Sequence, residues 1–101
     1  MKKGYWIAHV DIDDLDGYQA YVRANAEPFA AHGARFLVRG APQDVREGSL
    51  RRRTVVLEFP DLAAAVACYE SPGYQAAIAL RAPVSRADLV IVEGWEDPAQ
   101  K

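Results

Sequence analysis

The chain has 101 residues, of which 50% are hydrophobic and 26% charged, with a formal net charge of -2. That length suits one domain with a modest core, and the balanced charge removes the pull that nucleic acid or an anionic membrane surface would need. The lone cysteine, Cys68, excludes an internal disulfide; Asp11 interrupts the N-terminus before a signal segment could form, and no apolar run approaches the roughly 18 residues of a membrane span, so a cytoplasmic protein is expected.

Gly4 to Ile12 mixes aromatic and β-branched residues over the length of a strand, and Asp11, Asp13 and Asp14 supply turn and cap chemistry for a helix. In that helix Leu15, Tyr18, Val22 and Phe29 recur at helical spacing, and Gly33 is placed to end it in a left-handed cap. Pro28 removes a backbone bond at a cost of about 3 kcal/mol, which predicts a kink or restart between Asn25 and Pro28. Ala34 to Gly40 and Arg53 to Phe59 read as strands, and the polar segment between them is too short for a helical crossover, so they form an antiparallel hairpin with a long tip. Asp61 caps a helix reaching Tyr69. Ser71 and Pro72 then start a second helical piece with Tyr74, Ala77, Ile78 and Arg81 in one stripe. Asp88 to Trp95 is a compact apolar strand, and the tail from Glu96 to Lys101 is expected to be loose.

The order β-α-β-β-α-β is the split βαβ, ferredoxin-like arrangement: an α+β fold with a four-stranded antiparallel sheet and two helices on one face, in one domain with an ordered core over about residues 4–96. Strand alternation assigns Tyr5, Ile7, His9, Leu37, Arg39, Thr54, Val56, Leu89 and Ile91 to one face. Trp6, Ala8, Val10, Phe36, Val38, Val55, Leu57, Val90 and Val92 fall on the other. The purely apolar set suits the helices. The mixed set is then open, and packing two such faces together would make a two-fold homodimer.

His9, Arg39, Glu58 and Glu93 are ionisable residues assigned to that open face, with Arg35 on the same parity. A hairpin register with Arg39 opposite Thr54 also sets Arg35 opposite Glu58, as a cross-strand ion pair. Arg39 has no such partner and is the best single candidate for holding a carboxylate or phosphate, against the plainer reading of a solvated strand-end arginine. His9 suits acid or base work near neutrality, or a hydrogen-bonded role in the cavity. His32 complements the end of the first helix. Two distant histidines and Cys68 match no metal-ligand spacing, and Cys68 reads as packing. No phosphate loop, nucleophile elbow or dinucleotide fingerprint is present, so no metal and no cofactor are expected. The run Arg51 to Arg53 lacks interleaved aromatics and reads as a solvated strand edge. Tyr69 and Tyr74 flank the Ser-Pro break as packing residues or as the cavity mouth.

The segments FLVRG, EFP and YESPGYQ, within a match running from Gly4 to Trp95, closely resemble the small bacterial family of unknown function numbered 1330. The resemblance implies a ferredoxin-like fold in the dimeric α/β-barrel superfamily, alongside cofactor-independent monooxygenases, chlorite dismutase-like haem proteins and muconolactone isomerase-like enzymes. Arg39, Glu58, Tyr69, Ser71, Tyr74 and Arg81 stand at the motif positions; Pro28 and the Arg51 to Arg53 run depart from the pattern. Two readings of function follow. In one, a cavity on the open sheet face takes a small anionic or aromatic metabolite, held by Arg39, Glu58, Tyr69, Tyr74 and Arg81, with His9 as acid or base; turnover there would be monooxygenase-like or isomerase-like without a cofactor. In the other, the protein is a non-catalytic dimer whose charges pair across the interface.

Overall fold

The computed structural model describes residues 2–98 and has seven elements: β1 (Gly4–Ile12), α1 (Leu15–Ala31), β2 (Arg35–Arg39), β3 (Arg53–Phe59), α2 (Leu62–Glu70), α3 (Pro72–Arg81) and β4 (Ser85–Glu93). The end of the tail expected to be loose, residues 99–101, lies outside the described residues. The strands form one antiparallel sheet in the order β2-β3-β1-β4, the ferredoxin-like topology, with the helices over one face.

Local chemistry sets the helix boundaries. The Asp14 side chain accepts from the Gly17 amide, and Asp61 from the Ala64 amide, each satisfying a donor that a helix start leaves orphaned. Ser71 serves two helices at once. Its hydroxyl donates to the Cys68 carbonyl at the end of α2 and accepts from the Tyr74 amide at the start of α3, and its extended backbone, with ψ 147°, is the geometry favoured before Pro72. The second helical position is therefore two short helices joined by one residue.

At Pro28 the expected restart is absent: α1 runs unbroken to Ala31. The proline sits in the last turn, where only one intrahelical bond is lost. The Pro28 carbonyl is used twice by His32, from its amide and from Nδ1 at 2.8 Å, and Gly33 follows at φ +72°.

The core lies between sheet and helices. Trp6, Ala8, Val10, Val55, Leu57 and Phe59 face Tyr18, Tyr21, Phe29, Ala65, Cys68, Tyr74 and Ala77. The assignment of β4 to faces is reversed from the alternation expected. Trp6 pairs with Ile91 and Ala8 with Leu89, so Leu89 and Ile91 pack on the helix side while Val90 and Val92 are exposed on the open face. β4 is apolar on both sides, so hydropathy alone could not fix its parity; only its register against β1 does. The open face thus carries Ile7, Val56, Val90 and Val92 among Tyr5, His9, Thr54 and Glu58.

A candidate anion cavity between sheet and helices

The hairpin β2–β3 begins in the expected register, Arg35 opposite Glu58 and Phe36 opposite Leu57, and then slips: Val38 pairs with Val56 and Arg39 with Val55. Leu37 is the extra residue of a β-bulge, and a one-residue insertion turns every later side chain on the strand to the other face. Arg39 therefore leaves the open face, where simple alternation put it, and joins the helix side, its guanidinium stacked 4.1 Å over the Phe36 ring. Val38 is displaced in the opposite sense and is exposed.

Arg39 there meets two other arginines. A cavity between the sheet and helices α1 and α3 is lined by Arg39, Arg53 and Arg81 together with Tyr18, Tyr21, Asn25 and Tyr74, above an apolar floor that includes Trp6 and Phe29. Its volume is about 40 Å³, space for roughly three waters. Arg39 is exposed and Arg53 and Arg81 are half-buried, so the arginines mark the mouth. The open sheet face, where a cavity is expected, also carries two shallower clefts beside His9, one of about 380 Å³ lined by Val38, Gln43, Leu50 and Thr54 among others and one of about 310 Å³ lined by Asp11, Leu50, Arg51 and Asp88.

The wall is cationic without carboxylate relief. No Asp or Glu lines the cavity, and among the described residues none of the three guanidiniums has a carboxylate partner within 4.0 Å. Arg53 Nε is buried with no hydrogen-bond partner. The Arg53 guanidinium lies against Gly40, whose φ of +70° and missing Cβ leave it that room. Deeper in, the Tyr21 and Tyr74 hydroxyls share a 2.7 Å hydrogen bond, and Arg81 lies 5.5 Å from the Tyr21 ring. Burial, with Tyr21 beside it, pushes the Tyr74 phenol far above the ordinary range. Burial also raises Tyr18, while Arg53, Arg81 and Arg39 all pull it the other way, so their fields converge on one hydroxyl. Burial works against the Arg81 charge, but the Tyr74 and Tyr21 oxygens more than offset it. The tyrosines thus stay neutral at pH 7 at Tyr18 and Tyr74, and the arginine charge is not cancelled internally.

The remaining residues singled out by sequence are elsewhere. Glu58 is on the open face, accepting from Arg35 at 3.0 Å and from the Tyr5 hydroxyl at 3.1 Å. Tyr69 packs edge-on against Trp6 with centroids 5.8 Å apart and is not part of the cavity lining. His9 also lies on the open face, beside the 40–52 loop. Gln43 Nε2 donates to the Arg51 carbonyl and its Oε1 accepts from Thr54 Oγ1, so Thr54 has only acceptor capacity left for His9 Nδ1 at 3.1 Å. His9 accordingly carries a proton on Nδ1. Arg51, expected at a solvated edge, bridges Asp11 and Asp88 at 3.0 Å each and ties that loop to β1 and β4.

Arg53, Tyr18, Tyr21 and Asn25 line the cavity without being among the residues expected from sequence. The signal for Arg53 was its parity with Val55 and Leu57; Tyr18, Tyr21 and Asn25 follow one another at helical spacing on the buried side of α1.

Cys68 is fully buried, and burial pushes its thiol up to about 11. The native protein should therefore resist thiol-specific labelling at pH 8 and react at once when denatured. Fast native labelling would show that the α2 packing is wrong.

Comparison with known proteins supplies a family and a fold. The profile of a domain of unknown function, DUF1330, matches residues 3–95. A search of curated proteins found no significant match. Among solved structures, a Rhodopseudomonas palustris protein of unknown function is similar over 94% of this chain and 84% of its own, with TM-score 0.66 and 17% identity. A dimeric ferredoxin-like protein of unknown function from Thermobifida fusca aligns over 91% of this chain and 89% of its own, with TM-score 0.57 and 23% identity. SnoaB, a cofactor-independent oxygenase from Streptomyces nogalater, aligns over 97% of this chain and 98% of its own, with TM-score 0.61 and 12% identity. At these identities the likeness is one of fold.

Proposed function

Since this chain belongs to the DUF1330 family, whose description assigns no reaction, we propose its function from the site itself: it is a homodimer that binds a small anionic or aromatic metabolite between its sheet and its helices. The observation that carries the reading is the buried, unpartnered Nε of Arg53 on a wall shared with Arg39 and Arg81. A buried polar group without a partner costs free energy, and an anion entering the mouth is the partner that the protein itself does not provide. Aromatic rings behind the arginines supply the apolar lining usual in ligand pockets.

Dimerisation through the open face is supported by exposed Val38, Val90 and Val92 and by half-buried Ile7 and Val56, an apolar patch that a second copy would cover. The Thermobifida fusca protein of similar fold is itself dimeric. No described helix is long and apolar enough to cross a membrane, and the free thiol of Cys68 suits the reducing cytoplasm. A purely structural dimer would leave the unpartnered arginine wall without a role.

Thermal unfolding in the presence of small aromatic carboxylates and phosphates tests the binding claim. At a ligand concentration about 100 times Kd, stabilisation of about 2.7 kcal/mol should raise Tm on the order of 10 °C for a domain this size. A panel that leaves Tm unmoved would refute binding, and light scattering giving a monomer at micromolar concentration would refute the dimer.

A further inference from the structure

Resting on that reading, we infer that the ligand presents a dianionic group to the cavity mouth, a phosphate monoester or a pair of carboxylates on a small apolar or aromatic body, rather than a single carboxylate. Three guanidiniums line one small cavity with no acidic side chain among them. One carboxylate offers two oxygens and one negative charge, which would leave two of the three cations unmatched; a dianion offers more acceptor oxygens and twice the charge.

The arrangement of the guanidiniums points the same way. Arg39 Cζ lies 4.1 Å from the Phe36 ring centroid and Arg81 Cζ 5.5 Å from that of Tyr21, so aromatic rings back both cations. Cations held on two strands and a helix suit a group that accepts from several directions. Arg53 adds a buried Nε–H with nothing to bond. The Tyr21–Tyr74 pair and Asn25 beyond the arginines supply neutral polar contacts, and an interior of about 40 Å³ is filled by the charged group itself, which leaves the apolar or aromatic body at the mouth.

Calorimetric titrations with phenyl phosphate, phenylmalonate, benzoate and phenol separate the possibilities. Both dianions should bind at least about tenfold more tightly than benzoate at pH 7.5, and phenol should be weakest. A preference for phenyl phosphate over phenylmalonate identifies phosphate as the anion, and the reverse identifies paired carboxylates. Because a phosphate monoester loses its second charge near pH 6, the affinity for phenyl phosphate should fall about tenfold between pH 7.5 and 5, whereas benzoate, ionised throughout, should change little. Benzoate binding as tightly as either dianion, with no such pH dependence, would overturn the dianion inference while leaving the metabolite reading standing. No binding by any of the four would count against both.

Discussion

Replacing Trp6 by alanine should lower the melting temperature by roughly 15–30 °C, the largest loss expected from any single substitution in this chain. Trp6, the third residue of β1, is 1% exposed. Its ring meets Phe29, Phe59, Tyr69 and Tyr74 at centroid distances of 4.8 to 5.8 Å, so one side chain joins α1, β3, α2 and α3. Truncation of a buried tryptophan costs about 3–5 kcal/mol, because neighbours held by separate elements cannot all collapse into the space. A domain of this size has only about 5–15 kcal/mol of stability to lose. Trp6→Phe keeps much of the packing and forfeits the Nε1–H bond to the Ala65 carbonyl at 2.9 Å, so it should cost only about 1–2 kcal/mol. A drop below about 5 °C for Trp6→Ala, read by circular dichroism, would mean that the core is not built around this residue.

Arg53→Met should behave in the opposite way, weakening ligand binding strongly with little or no loss of stability. The guanidinium has no carboxylate partner and its Nε has no acceptor, so the folded protein gains little from holding the charge there. An apolar side chain of similar length removes that desolvation cost. Binding, by contrast, should weaken on the order of 100-fold, the scale of losing a charge-assisted bond in a partly buried site. Arg39→Met, at the exposed rim, should weaken it by nearer tenfold. If Arg53→Met unfolds the protein, the arginine is structural; if it binds as well as the parent chain, the anion is held elsewhere.

Much of the fold could be read directly because its signals are local. Asp14, Asp61 and Ser71-Pro72 start helices through bonds within three residues, and alternating β1 declares its buried side through Trp6, Ala8 and Val10. The site was harder because it depends on register. Arg39 is the best anion candidate by sequence, but simple alternation puts it on the wrong face, since the bulge at Leu37 has no glycine to announce it and Leu37 and Val38 are interchangeable in hydropathy. The same ambiguity exchanged the faces of β4. With Arg39 turned over and Arg53 outside the expected set, alternation does not bring the three arginines together, and it places His9 with Arg39 although the two line different pockets. Tyr74 and Arg81 were singled out by motif and do line the cavity; Glu58 and Tyr69 do not.

Amide chemical-shift mapping of the protein titrated with phenyl phosphate distinguishes a ligand held between sheet and helices, as proposed, from one held on the open face. The largest shifts should fall on Tyr18, Tyr21, Arg39, Gly40, Arg53 and Arg81. Shifts centred instead on Tyr5, His9, Val90 and Val92, with Arg53 unmoved, would place binding on the open face and contradict this account.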